Sequence, residues 1–330
     1  MTAIRTNTSV RWLPGMVTLA LLLVAGSAFF GEYRVSLADF GNTMLGSPPA
    51  PMTEFFVMQR RIPRALVALM AGMLLAASGS LLQQLLRNPL ASPDIIGITN
   101  GASLGGCVVI LLLGGSLIDA SIGALLGAFA AASILLVAVR VFRLNGTRLI
   151  LLGVGLAALS TALVNYMLTQ VFVPSAQIAQ TWLVGTLQGR GWSELPWLVL
   201  GVALLVLVQL CFDRELRMLA MGDDLAAALG VNVARIRAVL FAAAAVLAAL
   251  AVLCTGPIGF VALVAPHISH SLTGSRNLLV CALTGGILLM LSDLVAQYAL
   301  PVALPVGVVT IIFGGGFFLG LLFRQGRVRG

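Results

Sequence analysis

The stretch DRELRMLAMGDDLAAALGVNVARIR, Asp213 to Arg237, holds four acidic and four basic residues in a chain whose charged content is only 9%. Apolar runs flank it on both sides. Leu216 and Leu219 share one helical face, and Leu225, Ala228 and Leu229 share another. Gly222 separates the two pieces. Asp223 and Asp224 stand where a second helix starts, and carboxylates there favour the positive end of the helix dipole. Gly230 falls where that helix stops, and Asn232 is placed to cap the next one. The pattern predicts two short helices lying across the end of a bundle. Such a segment is either a docking surface for a soluble partner or a solvated loop between spans.

The flanking runs fix the class. Apolar residues make up 60% of the 330, and mean hydropathy is +1.07, against an apolar share of roughly 45–50% in soluble domains. Only helices and closed barrels satisfy the backbone in lipid. Long unbroken apolar runs, rather than alternating ones, exclude a barrel. The expectation is an all-α polytopic membrane protein, one transmembrane domain over residues 1–330, with residues 213–232 as a cytoplasmic segment within it. The formal charge of +8 comes from span ends and implies no nucleic-acid partner. All 19 basic residues are Arg. A phosphate-binding P-loop needs Lys, so the chain does not hydrolyse ATP itself.

Cys107, Cys211, Cys254 and Cys281 lie in or beside apolar runs at no metal-ligand spacing, and read as small packing residues. His267 and His270 are three apart without further ligands nearby in sequence, so no metal site is expected. Arg5 and Arg11 precede the apolar Met16–Ala25, and Gly26-Ser27-Ala28 resembles a cleavage site. The segment reads as a first span.

Spans of about 20 residues fall near 14–31, 62–86, 95–114, 117–141, 148–170, 194–212, 236–255, 277–298 and 304–323. Arg5 and Arg11 at one end, and Arg324, Arg327 and Arg329 at the other, place both termini in the cytoplasm by the positive-inside rule. The number of crossings is then even. GPIGFVALVAPHI, Gly256 to Ile268, supplies the missing one as a short span broken by Pro257, Gly259 and Pro266, which makes ten. This topology puts Arg87, Arg140, Arg143, Arg148, Arg214, Arg217, Arg235, Arg237 and Arg276 inside. It leaves Arg34, Arg60, Arg61, Arg64 and Arg190 outside. The group Arg60-Arg61-Ile62-Pro63-Arg64 runs against the rule. It suits acidic knobs on an external protein, or lipid phosphates.

The loops turn abruptly. Arg87-Asn88-Pro89-Leu90-Ala91-Ser92-Pro93-Asp94 holds two prolines, and Ser92, Pro93 and Asp94 fit the cap and first turn of the next span. Asn145-Gly146 is a tight-turn pair, with Thr147 positioned to cap the span that follows. Gly72, Ala76, Ala77, Ser78, Gly79 and Ser80 permit close helix approach. Ser160, Thr161, Asn165, Tyr166, Thr169 and Gln170 form an uncharged polar stripe. Either it lines a wet cavity or it hydrogen-bonds neighbouring helices.

RNPLASPDIIGITNGASLGG (Arg87–Gly106), GDDLAAALGVNV (Gly222–Val233), GPIGFVALVAPHI and LPVGVVT (Leu304–Thr310) together resemble the permease subunits of bacterial ABC importers for iron–siderophore complexes, haem and cobalamin. RNPLASPD and MGDD are most similar to ferric-enterobactin permeases. The resemblance runs from Arg61 to the C-terminal arginines. It implies a type II importer permease fold of ten helices in the bacterial inner membrane. It also implies pairing with a second permease, a related chain rather than a copy. Two cytoplasmic ATPase subunits would carry ATP and Mg, and a periplasmic siderophore-binding protein would deliver the cargo. No cofactor is expected on this chain. By the same resemblance, Arg61 and Arg64 dock the binding protein. Leu219, Gly222, Asp223, Asp224, Leu225, Leu229 and Gly230 couple to the ATPase. Asn88, Pro89, Leu90 and Thr147 close the cytoplasmic end, and the stripe residues Ser160, Asn165, Tyr166 and Thr169 line the pathway. Where some members of the family carry a further outer Arg, this chain has Gln297.

Two other classes fare worse. An ion-coupled secondary transporter keeps ionisable residues deep in its spans, and only Asp293 qualifies here. An intramembrane enzyme lacks its residues: there is no intramembrane His–Asp or Glu pair, and no Ser–Lys pair is possible without Lys.

Overall fold

The described part of the computed structural model is residues 8–31, 33–141, 146–299 and 301–328, which leaves Arg5, Arg143, Asn145 and Arg329 outside it. Within it the chain is helical, with no strand. Helix α1 is Thr8–Ser27, α2 is Leu37–Met44 and α3 is Pro51–Glu54. A π-helical stretch, Phe55–Arg61, joins α3 to α4, Ile62–Leu86. Next come α5, Ile98–Cys107, which continues as a π-helix to Leu112, then α6, Leu117–Arg140, and α7, Gly146–Gln170. The rest are α8, Val173–Leu183; α9, Leu195–Met221; α10, Asp223–Ala228; α11, Val233–Thr255; α12, Val261–Thr273; α13, Leu278–Tyr298; and α14, Val306–Val328. Six described helices are long and apolar enough to cross a membrane, and three shorter apolar ones accompany them.

Helix α4 is the hub, packing on α1, α9, α11, α12 and α13. Its small residues explain this. Gly72 lies against the backbone of Gly285 and Gly286, where any Cβ would collide. Gly101 and Gly105 of α5 meet Gly127 and Gly123 of α6 in the same way. Lipid offers apolar side chains no reason to leave it, so helices associate through such backbone-close packing. The Ser78 hydroxyl donates to Ala244 O at 2.6 Å, which pins α4 to α11.

The segment expected as a broken span is broken around Pro257 and Gly259, as expected, but not at Pro266. Residues 256–260 are non-helical, and Phe260 sits at φ +68°. Pro266 lies inside α12 without interrupting it. A helical proline orphans the carbonyl four residues before it, here Ala262. That carbonyl packs against Gly79 of α4, which has no Cβ to obstruct it. Thirteen residues of helix rise only about 20 Å, short of the roughly 30 Å hydrocarbon core. The backbone of Gly256–Phe260 is met from within the protein: Gly256 N donates to Val252 O (2.8 Å), Thr255 Oγ1 to Gly256 O (3.0 Å) and Val264 N to Phe260 O (2.8 Å).

Other boundaries shift for local reasons. Ser92 does cap, accepting from Ile95 N at 3.3 Å. It caps an isolated turn, and Gly97 at φ +85° separates that turn from α5. Thr147 is not a cap, since α7 already starts at Gly146. The polar island is not two short helices. Nothing between Cys211 and Met221 breaks a helix, and the i,i+4 pairs Gln209–Asp213 and Asp213–Arg217 support one. So α9 runs on to Met221, and only α10 is short. Cys107, Cys254 and Cys281 are buried, but Cys211 is exposed on an uncovered face of α9.

Candidate functional site

Arg64 opens α4 and Arg87 ends it, so about 35 Å of helix separates two polar sites.

At the Arg87 end, α10 is a short shelf. Gly222, at φ +130°, breaks the chain after α9, and Gly230, at φ +87°, ends α10. Val231 N bonds Ala226 O (3.0 Å) and Gly230 N bonds Ala227 O (2.9 Å), a Schellman closure that needs the left-handed residue at Gly230. Asn232 caps α11 as expected, its Oδ1 accepting from Arg235 N at 3.1 Å. Ala226 faces the chain and is fully buried, while Leu225 and Leu229 are 48% and 50% exposed. Leu219 does not join them: it is 3% exposed and packs in the core. Alternate faces of α9 point apart, and its inner face is the one carrying Leu216 and Leu219.

Asp223 ties this shelf to the bundle. Its Oδ1 accepts from Arg87 (2.5 Å) and from Arg237 (2.9 Å). Arg87 also donates to Leu219 O at 3.1 Å. These bonds hold Arg87 in a left-handed conformation, φ +50°, that a residue with a Cβ adopts only at a cost. The next residues form the turn RNPL: Asn88 Oδ1 accepts from Leu90 N at 2.9 Å, and the Leu90 side chain is exposed. Asn88 and Leu90 thus sit one step from the ion triad. Thr147 is exposed in the first turn of α7. Neither Arg87 nor Arg237 stands out in sequence as Asp223's partner, because 136 and 14 residues separate them.

At the other end, the out-of-place arginines converge. A cavity of about 580 Å³ is lined by Arg60, Arg61, Arg64 and Arg190 together with Asp293 and Gln297. Arg61 and Arg64 already have partners inside the chain. Arg61 donates to Ala28 O and Tyr33 O, both at 2.6 Å, and lies over the Phe56 ring. Arg64 makes a two-point pair with Asp293, at 3.0 and 2.8 Å. Gln297 donates to the same carboxylate at 2.7 Å. Its position, one helical turn beyond Asp293, lets an amide share the pair. Arg190 lies 3.6 Å from Glu194. Arg60 is exposed and makes a ring contact to Phe55.

The polar stripe of α7 divides. Asn165, Tyr166 and Thr169 lie on an open face, with Tyr166 63% exposed. Ser160 is buried with Val164 and Met167 on the opposite face, since the five residues to Asn165 rotate the helix by about 140°. Thr161 bridges to α5 through Asn100 at 3.3 Å. Among the described residues no cluster of His, Cys, Asp or Glu is suited to a metal. His267 packs between Leu263 O, at 2.9 Å, and the rings of Phe317 and Phe318.

The chain is similar to known proteins over most of its length. Residues 19–324 match the model of the FecCD transport family. The ferric enterobactin transport system permease protein FepG of Escherichia coli is 38% identical over 303 residues, covering 90% of this chain and 91% of FepG. The vitamin B12 import system permease protein BtuC of Escherichia coli is 38% identical over 327 residues, 97% of each. A solved metal-chelate type ABC transporter, in an inward-facing conformation, has a TM-score of 0.84 at 28% identity, over 95% of this chain and 99% of that one. The chain belongs to the FecCD transport family of ABC transporter permeases.

Proposed function

We propose that this chain is the permease subunit of an ATP-driven importer that carries a ferric siderophore of the ferric enterobactin type from periplasm to cytoplasm. The observation that carries the importer reading is α10: a short helix held to the bundle by Asp223, with Leu225 and Leu229 turned outward. An exposed apolar pair on a fixed shelf suits a soluble ATPase cleft. In this reading residues 213–232 are the coupling segment of a single permease domain, 1–330. Two ATPase subunits hold ATP and Mg, and the chain itself catalyses nothing. A second, related permease covers the open face of α7, where Asn165, Tyr166 and Thr169 line the pathway. The periplasmic binding protein docks at the arginine-lined mouth. There Arg61 and Arg64 shape the surface through their internal bonds, and Arg60 presents its charge. Both termini are cytoplasmic in the inner membrane.

The substrate class rests on FepG, 38% identical. BtuC is equally identical over more of the chain, which favours cobalamin as the second reading. Proteoliposomes containing the permease pair and ATPase, given each binding protein in turn, decide between them. The expected result is ATP-dependent uptake of iron presented as a catecholate siderophore, with no uptake of cobalamin. Cobalamin uptake at an equal or greater rate would sink the siderophore reading.

The gate is assigned to Asn88, Pro89, Leu90 and Thr147. Pro89 fixes the turn and Leu90 presents an apolar side chain that narrows the resting pathway. Leu90→Ala then increases ATP-independent leak of a small dye from sealed vesicles by several-fold. A leak equal to wild type places the constriction elsewhere.

A further inference from the structure

Beside the Arg87 triad lies a second cavity, of about 590 Å³, within the range of roughly 300–1,000 Å³ for ligand pockets. The end of α4, the last turns of α12 and the turn into α13 enclose it. Arg87, Arg276, His267, His270, Ser269 and Gln83 contribute to its wall, and no acidic side chain does among the described residues.

Its charges are not neutralised. One carboxylate, Asp223, is shared between Arg87 and Arg237, which leaves that cluster positive. Arg276 is exposed, and neither it nor His270 has a hydrogen-bond or ion-pair partner among the described residues. The hydroxyl of Ser269 has no partner among the described residues, although the residue is 1% exposed. An unmade bond of this kind costs free energy and calls for a missing partner. Ser275 Oγ accepts from Asn277 N at 3.1 Å, which leaves its own proton to donate. The C-terminus of α12 and the N-terminus of α13 both abut the cavity, so their opposite dipole ends offset each other. The side chains therefore set its sign, which is positive.

We propose that this cavity binds a phosphate group. Guanidinium, imidazole and several hydroxyl donors spread around a volume this large suit a multiply charged tetrahedral oxyanion, which accepts from several directions at once. The group comes either from inorganic phosphate or from the headgroup of an anionic phospholipid, and both share that chemistry. The site is independent of the cargo the permease carries.

The test uses the purified full-length chain. Calorimetric titration with inorganic phosphate is one arm, and native mass spectrometry from phosphatidylglycerol and phosphatidylcholine nanodiscs is the other. In at least one arm, the Arg276→Gln/His270→Gln variant weakens binding by roughly ten- to hundredfold, and Ser269→Ala by about two- to tenfold. Arg140→Gln, at the end of α6, binds as wild type does and controls for net charge. Binding of phosphate alone identifies the soluble ion as the ligand. Retention of phosphatidylglycerol alone identifies the lipid. The proposal is overturned if the wild type binds neither, or if the double variant binds as tightly as wild type. It is equally overturned if the double variant loses only its hold on a co-purifying protein, since the cavity would then be part of a protein interface.

Discussion

Arg64→Ala destabilises the permease by about 3–5 kcal/mol, the cost of stranding one member of a buried ion pair. Asp293 is the partner left behind: its side chain is 6% exposed, and Arg64 itself is only 19% exposed. Without Arg64, Gln297 remains as a single amide donor to Asp293 and brings no charge. Asp293→Ala carries a cost of the same order. Removing both leaves no unpaired charge, so the double variant recovers most of the loss, and the cycle measures the coupling directly. Denaturant titration of the detergent-solubilised protein reads each variant. A double variant destabilised by the sum of the two single losses would show that Arg64 and Asp293 contribute independently. The pair also bears on docking. If a binding protein docks at this mouth, as proposed, its acidic group meets an Arg64 already held at two points by Asp293 and must either displace that carboxylate or bind to Arg60 beside it.

This pairing marks the limit of what the sequence discloses. The helical membrane class was legible at once, because 60% apolar content in long runs permits little else. Helix ends were legible where a local signal exists: Gly222, Gly230 and Asn232 act as their side chains and φ preferences dictate. The arginines against the charge rule were legible as a group but not by role. Arg64 meets Asp293 across 229 residues and Arg61 meets Ala28 across 33, and no periodicity encodes contacts made by tertiary packing. The same holds for Pro266, whose cost depends on where the Ala262 carbonyl lands, and that is decided by Gly79 on another helix. Ser160 and Leu219 are buried, away from the faces their neighbours share, for a smaller reason. A stripe read from composition assigns a face only loosely, and one position turns a side chain by about 100°. The polar residues after Cys211 suggested a separate short helix, where the absence of any helix breaker lets α9 run on to Met221.

Leu225→Asp abolishes uptake while leaving the permease folded. The second half follows from exposure: Leu225 is 48% exposed in the isolated chain, so a carboxylate there stays hydrated and costs the fold little. The first half follows from what α10 is for in the importer reading. Burying one leucine against a partner contributes roughly 1.5–3 kcal/mol, and a charge on that face adds a desolvation penalty. Either term is enough to release the ATPase or to disconnect it, because α10 has only six residues and offers no second apolar pair to compensate. Ala226→Asp is the contrasting variant. Ala226 is fully buried, so a charge at that position unseats α10 from the bundle and destabilises the chain itself. The measurement is co-purification of the ATPase together with uptake into vesicles, with a melting curve beside each. Leu225→Asp showing a normal melting curve, full ATPase recovery and normal uptake would reduce the segment to a solvated loop. Lost uptake with ATPase still bound separates coupling from assembly, and places the transmitting contact at Leu225 with the Asp223 triad as its anchor to α4 and α11.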